Sequence, residues 1–120
     1  MNIKLLLDNE NYNKESKIIA NGEFVGRVAY RVDNESLIID SIHIHQMYRE
    51  KGIGKAIINK LLSGYKFIYG CSSPLAIGFW IKLGAKFEYD VSEDMIPRLL
   101  DIGEYPPFKI ESKLYKSINS

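Results

Sequence analysis

The chain of 120 residues has a single cysteine, Cys71, so no internal disulfide can form and the fold must be held by its core. No apolar run approaches the length of a bilayer-spanning helix. The first residues, Met1-Asn2-Ile3-Lys4, lack the layout of a signal peptide. A cytoplasmic protein with no membrane partner is therefore expected. Linkers, repeats and low-complexity tracts are also missing. At this length there is room for one core but not two, and residues 1–120 are expected to form one domain. The content that remains, 46% hydrophobic and 26% charged, is that of a globular protein.

Net charge is nearly absent, at +1, but the charges are not evenly spread. Between Met47 and Lys66, Arg49, Lys51, Lys55, Lys60 and Lys66 face only Glu50. Between Glu88 and Glu104, the acids Glu88, Asp90, Glu93, Asp94, Asp101 and Glu104 face only Arg98. Such a division points to an anionic ligand at one place and a cationic one at another. Solvated helix and loop faces account for the acidic segment equally well. No extended basic face with interleaved aromatics appears, so no nucleic-acid partner is expected.

The pattern along the chain is mixed. Ile3-Leu7 reads as a short strand and the polar Asp8-Glu15 as a loop. Asn21-Gly22 is a strong hairpin signal between strands Ser16-Ala20 and Glu23-Val32. Asp33-Ser36 forms a second turn before the apolar strand Leu37-His45. Lys55-Leu62 carries its apolar residues at 57, 58, 61 and 62, one helical face, and Ser63-Gly64 closes it. Tyr65-Cys71 reads as a strand parallel to Leu37-His45 after a right-handed crossover. Ser73 and Pro74 open a helix that runs to Leu83, with Gly84 past its end. Ala85-Tyr89 is a strand, Ser92-Leu100 a short helix and Phe108-Leu114 a last strand.

One segment carries chemistry. Arg49-Glu50-Lys51-Gly52-Ile53-Gly54 lies between the strand Leu37-Ile44 and the helix that follows. A strand, a glycine-spaced turn with cations and a helix start together make a phosphate site. Glycines admit an anion close to the backbone, unpaired first-turn amides point at it, and the helix dipole favours it. Arg49, Lys51 and Lys55 add positive charge. Two glycines at this spacing also occur in ordinary strand-to-helix turns. The turn is not a Walker A loop, since no Gly-Lys-Ser/Thr follows, and it lacks the third glycine of a dinucleotide fingerprint.

The motif Arg49-x-x-Gly52-x-Gly54, preceded by Ile42-His43-Ile44 and Tyr48, resembles that of the GNAT superfamily of acyl-CoA-dependent N-acyltransferases. So does the later Ala76-Ile77-Gly78-Phe79-Trp80-Ile81-Lys82-Leu83-Gly84-Ala85, against a family helix of the form Ala-x-x-Phe-Tyr-x-x-x-Gly-Phe. The resemblance spans roughly Asn21 to Phe87. It implies an α/β fold with a mixed, mostly antiparallel sheet, a parallel and splayed central strand pair, and two main helices. It also implies acetyl-CoA as the cofactor and direct transfer of the acetyl group to a primary amine. By the same resemblance, Ile42, His43 and Ile44 run beside the pantetheine arm. The segment Arg49, Glu50, Lys51, Gly52, Ile53, Gly54 and Lys55 holds the pyrophosphate.

The chain departs from the family pattern in three places. Trp80 stands where the family has tyrosine, its usual general acid, and an indole has no useful pKa. Trp80 is expected to pack on the thioester instead. Ser73 stands where the family has asparagine touching the cofactor, though the same hydroxyl could cap the helix. The family's two helices between the first strands have no room in Asp8-Glu15. A short GNAT form is expected, with acceptor recognition moved to loops, the acidic C-terminal region or a partner.

Amine attack on a thioester needs a proton acceptor. Asp40 is a candidate, because a carboxylate inside an apolar central strand is either paired or functional. A salt-bridged structural aspartate is the other reading. His43 is a second catalytic candidate, beside the expected thioester, with His45 at the strand end in solvent. Cys71 reads as a small buried hydrophobe. Tyr69 and Tyr105 are candidates for the missing acid. The expected acceptor is a protein lysine, and the chain a monomer or homodimer. A weak acyl-CoA-binding sensor and an unrelated phosphate-binding fold are the alternatives.

Overall fold

The computed structural model describes residues 1–9 and 14–113. Four strands come first: β1 (Ile3–Asn9), β2 (Lys14–Ala20), β3 (Glu23–Asp33) and β4 (Ser36–Ile44). A helical turn at Gln46–Tyr48 leads to helix α1 (Ile53–Leu62) and strand β5 (Phe67–Cys71). A turn at Pro74–Ala76 then precedes α2 (Ile77–Lys82), followed by β6 (Lys86–Phe87), a turn at Glu93–Met95, α3 (Ile96–Ile102) and β7 (Pro107–Glu111). The strands form one sheet in the order β1-β2-β3-β4-β5-β7-β6. Only β4 and β5 pair in parallel.

Alternation decides which side of each strand is buried. On β2, Ser16, Ile18 and Ala20 point inward, with Lys17 and Ile19 between them. Helix α1 turns Ile53, Ile57, Ile58 and Leu61 onto the same side, over Val28, Leu37, Ile39, Ile68 and Ile110. Burial of each such side chain contributes about 1.5–3 kcal/mol. Trp80 joins this core by stacking on Phe108, ring centroids 4.3 Å apart.

Two irregularities shape the middle of the sheet. On β4, Ala29 pairs with Ser41 and Tyr30 with Ile39, so Asp40 is the extra residue of a β-bulge. A bulge shifts the alternation by one. Leu37 and Ile39 face the core before it; Ile42 and Ile44 face it afterwards, and His43 goes to the opposite face. The second irregularity is that β4 and β5 pair at just three positions, Ser36 with Phe67, Leu37 with Ile68 and Ile38 with Tyr69. Beyond these, β5 continues beside β7 and β4 beside β3, so the two central strands part.

The structure corrects several sequence expectations. Strand β1 extends to Asn9 and β2 begins at Lys14, where a loop over Asp8-Glu15 was expected; residues 10–13 lie outside the described part. The helix expected from Ser73 to Leu83 begins as a 3-10 turn and becomes α-helical only at Ile77. The expected helix Ser92-Leu100 is displaced to Ile96–Ile102, since Pro97 fits the first turn of a helix and not its middle. The last strand ends at Glu111, and the end of the expected run, at Leu114, lies outside the described part. Cys71 is exposed, because neither it nor Tyr69 on that face of β5 is covered. Among the described residues no helix is long and apolar enough to cross a membrane.

Gly26 shows how tightly β3 and β4 approach. A methyl group there would overlap the carbonyl of His43, whereas one at Gly64 would find its nearest neighbour 3.8 Å away. Gly26→Ala should therefore cost about 1–3 kcal/mol or more, while Gly64→Ala should shift stability by less than about 1 kcal/mol. Thermal unfolding of the two variants measures the contrast. Equal melting temperatures would contradict the packing described here.

Candidate active site

The parting of β4 from β5 leaves backbone groups unpaired inside the sheet. His45 donates its amide to Val25 O at 2.8 Å, so the backbone groups of His43 and His45 point toward β3. The amides and carbonyls of Ile42 and Ile44 then point the other way, into the gap. Such an edge accepts an extended chain carrying its own amides, as a missing strand would.

At the mouth of this gap, α1 begins. Its N-cap is Gly52, with φ of 76°, and no side chain caps it. The first helical bond runs from Ala56 N to Gly52 O, which leaves the amides of Ile53, Gly54 and Lys55 without an intrahelical acceptor. No acidic residue lies in the first turn, and Lys55 does. A cation is unfavourable at the positive end of a helix unless an anion joins it. Glu50 also has a positive φ, 63°, which costs a non-glycine residue about 1–2 kcal/mol. The turn is thus bent to aim amides outward at some expense of stability.

A cavity of about 730 Å³ joins the two features. Its lining includes Ile42, His43, Ile44, Arg49, Glu50, Gly52, Ile53, Gly54, Lys55 and Ser73, all singled out in the sequence. Lys51 and Trp80 are not part of it. Lys51 lies over the ring of Tyr48, 5.8 Å from its centroid. Tyr48 is in turn bonded to Glu23, which raises its phenol pKa above the ordinary value. Ser73 occupies an N-cap position but makes no capping bond, and its side chain is exposed along the cavity.

Trp80 is a correction. Helix α2 turns Ile77 and Trp80 inward, three residues apart, and leaves Trp80 only 4% exposed. Phe79 takes the cavity position instead. Its ring lies where Gly54 has no side chain; a methyl at Gly54 would meet Phe79 Cε1 at 3.1 Å. Leu75, Phe79, Lys82 and Leu83 form the wall of the cavity on that side. Their spacing of four, three and one is a helical face, and that periodicity was the signal for them. Neither Tyr69 nor Tyr105 reaches the cavity; both are exposed elsewhere.

Asp40 differs from expectation in its surroundings. It is not a buried carboxylate: the bulge places it on the outer face, with its side chain 34% exposed. Arg31 grips it with two nitrogens, Nε at 3.0 Å from Oδ2 and Nη2 at 3.0 Å from Oδ1. Asp40 does not line the cavity, whereas His43 does. His45 is half-buried, edge-on to Phe24 at 5.0 Å, and so less open to solvent than expected. Exposed ion pairs contribute about 0.2–1 kcal/mol. A double-mutant cycle on Arg31 and Asp40, read by urea unfolding, should give a coupling of that size; one above about 3 kcal/mol would mean a desolvated pair.

The fold and cavity have counterparts among known proteins. The family model described as the acetyltransferase (GNAT) family matches residues 5–84. No curated protein sequence matches the chain. Among solved structures, Tetrahymena GCN5 superposes with a TM-score of 0.66 at 14% identity, over 88% of this chain and 72% of that one. A Bacillus subtilis acetyltransferase in complex with CoA gives 0.65 at 11% identity, over 92% and 99%. A GNAT family acetyltransferase from Elizabethkingia anophelis with acetyl-CoA bound gives 0.60 at 16% identity, over 83% and 76%. At these identities the superpositions speak for the fold, and the sequence match over residues 5–84 speaks for descent. The chain belongs to the acetyltransferase (GNAT) family.

Proposed function

We propose that the protein transfers an acetyl group from acetyl-CoA to a primary amine, and that a lysine side chain presented on a protein surface is its acceptor. The observation that carries the donor half is the unpaired edge of β4 ending at an uncapped helix start. Coenzyme A has a long arm with amides and a polyanionic end, and the residues present fit both. The amide and carbonyl of Ile42 and the amide of Ile44 would hold the arm, the carbonyl of Ile44 accepting from Arg49. The amides at the start of α1, with Lys55, would hold the phosphates. When bound, acetyl-CoA supplies a thioester whose acyl carbon the amine attacks.

The roles of the side chains follow from position. Asp40 sits on the outer face at the point where β4 and β5 part, and we assign it the amine proton. The Arg31 fork keeps the carboxylate facing one way but occupies part of its accepting capacity. His43, the other catalytic candidate, lines the cavity, which supports a role for it beside the reacting atoms.

Acceptor choice rests on charge and shape. Glu88 donates its amide to Pro107 O, and Pro107 pairs with Cys71, so the acidic segment begins beside the end of β5. Tyr89 donates to Glu104 at 2.9 Å, which holds a second carboxylate there. The six acids of 88–104 are all exposed. They favour an ammonium group over a neutral or acidic acceptor. Strand β1 ends at Asn9 and β2 begins at Lys14, with no helix between them among the described residues. That leaves an open acceptor side, better suited to a residue on a protein surface than to an enclosed metabolite.

Three measurements check this. Acetyl-CoA should raise the melting temperature where ATP and NAD do not, and Gly52→Val should lose that stabilisation, since a β-branched residue resists a φ of 76° and screens the loop amides. Unchanged calorimetric affinity in a folded Gly52→Val protein would overturn the donor site. Asp40→Asn should slow acetyl transfer by about 10²-fold with little change in CoA affinity; a preserved rate across pH would make the aspartate purely structural. Lysine peptides should outcompete neutral and acidic amines, more so at low salt. Indifference to charge reversal at Glu93 and Asp94 would rule out electrostatic acceptor selection. Binding of acetyl-CoA with no turnover on any amine would leave the sensor alternative, which the burial of Trp80 away from the cavity favours.

A further inference from the structure

We propose that Arg49 is a positioning residue, one that ties the phosphate-binding turn to His43 and makes that imidazole a hydrogen-bond donor rather than a base. A cation opening a turn rich in outward amides is expected to reach for the anion. Arg49 turns back instead. Its Nε donates to the carbonyl of Ile44 at 2.8 Å, and its Nη2 lies 3.5 Å from Nδ1 of His43.

These two partners fix the side chain's path. The carbonyl of Ile44 lies at the edge of β4 that faces the gap, and the ring of the preceding residue, His43, stands on one face of the strand. One guanidinium that meets both must lie along the free edge of β4. It therefore closes the segment from 44 to 49 and holds the turn at a set distance from the strand. It also fills the carbonyl of Ile44, so the edge offers an extended ligand the amide and carbonyl of Ile42 and the amide of Ile44.

The consequence for His43 follows from the chemistry of the pair. A guanidinium has only donors and does not give up its proton in a protein. Its contact with Nδ1 is attractive only when Nδ1 carries a lone pair. The ring proton of the neutral imidazole is then on Nε2. With Nδ1 facing Arg49, the other ring nitrogen of His43, a residue of the cavity lining, bears hydrogen and can donate. A donor aimed where negative charge develops stabilises that charge. Proton removal from the amine is left to another group, and Asp40 is the one already assigned. Trp80, stacked on Phe108 in the core, supplies no donor to the cavity, and His43 fills that need from the facing strand.

The proposal rests on the acetyltransferase reading above, but its test does not need turnover. Long-range proton–nitrogen NMR of the free protein reports which nitrogen of His43 carries the proton. The expected result is protonated Nε2 and bare Nδ1 in the unmodified chain, and a mixture of tautomers in Arg49→Met. Arg49→Lys, which keeps a donor but loses the fork, should restore part of the Nε2 preference. In steady-state assays Arg49→Met should lower kcat about tenfold or more, beyond its effect on KM, because a donor out of line loses much of its value. Thermal melts identify variants that fail to fold, in which case Arg49→Lys decides. A His43 proton on Nδ1, or a tautomer unchanged in folded Arg49→Met, would overturn the proposal even if the chain acetylates amines. Absence of CoA binding with the tautomer as expected would instead strike the acetyltransferase reading and leave the Arg49–His43 coupling standing.

Discussion

The structure depends on backbone hydrogen bonds that two central strands do not make. Parallel strands β4 and β5 pair at three positions and then part, each leaving with its other neighbour. Buried amides and carbonyls are almost always paired, because an orphan costs about as much as a lost hydrogen bond. An unpaired edge in the middle of a sheet is tolerated only where solvent or a ligand reaches it. Here the gap opens into the cavity, and the edge of β4 serves as its wall. Nearly every feature of the site can be traced to that gap.

The bulge at Asp40 makes the gap usable. Without the extra residue, the alternation that buries Leu37 and Ile39 would continue to Ser41 and His43. The shift keeps Ile42 and Ile44 against the core and sends His43 to the other face, where Arg49 meets it. Beyond the strand, α1 starts without a capping side chain or a first-turn acid, and with a lysine. Each of these choices weakens a free helix slightly. An anion in the place of the cap would offset each of them.

Much of this was legible in the sequence, for identifiable reasons. The Asn21-Gly22 hairpin, the helical spacing of Ile57, Ile58 and Leu61 and the glycine turn are local signals, and the structure has them where they were read. Ten residues from Ile42 to Lys55, nine of them named as cofactor-binding candidates, line the cavity. Beyond the element boundaries, the failures at the site were matters of facing. Asp40 read as a buried carboxylate because a bulge leaves no mark in an apolar run. Trp80 read as a cavity residue because the family pattern was followed, while the inward pairing of Ile77 with Trp80 depends on where the helix begins. Arg49 lines the cavity, but its path back to Ile44 and His43 was not legible, because sequence shows a side chain's charge and not its direction.

The central claim is that the parted edge of β4 holds the arm of the cofactor as a strand would. Amide hydrogen exchange at single-residue resolution, with and without CoA, tests it most directly. The account predicts new protection at the amides of Ile42 and Ile44, together with those at the start of α1, and no change in β1 and β2. Saturating CoA that protects the helix start but leaves Ile42 and Ile44 exchanging as before would contradict it.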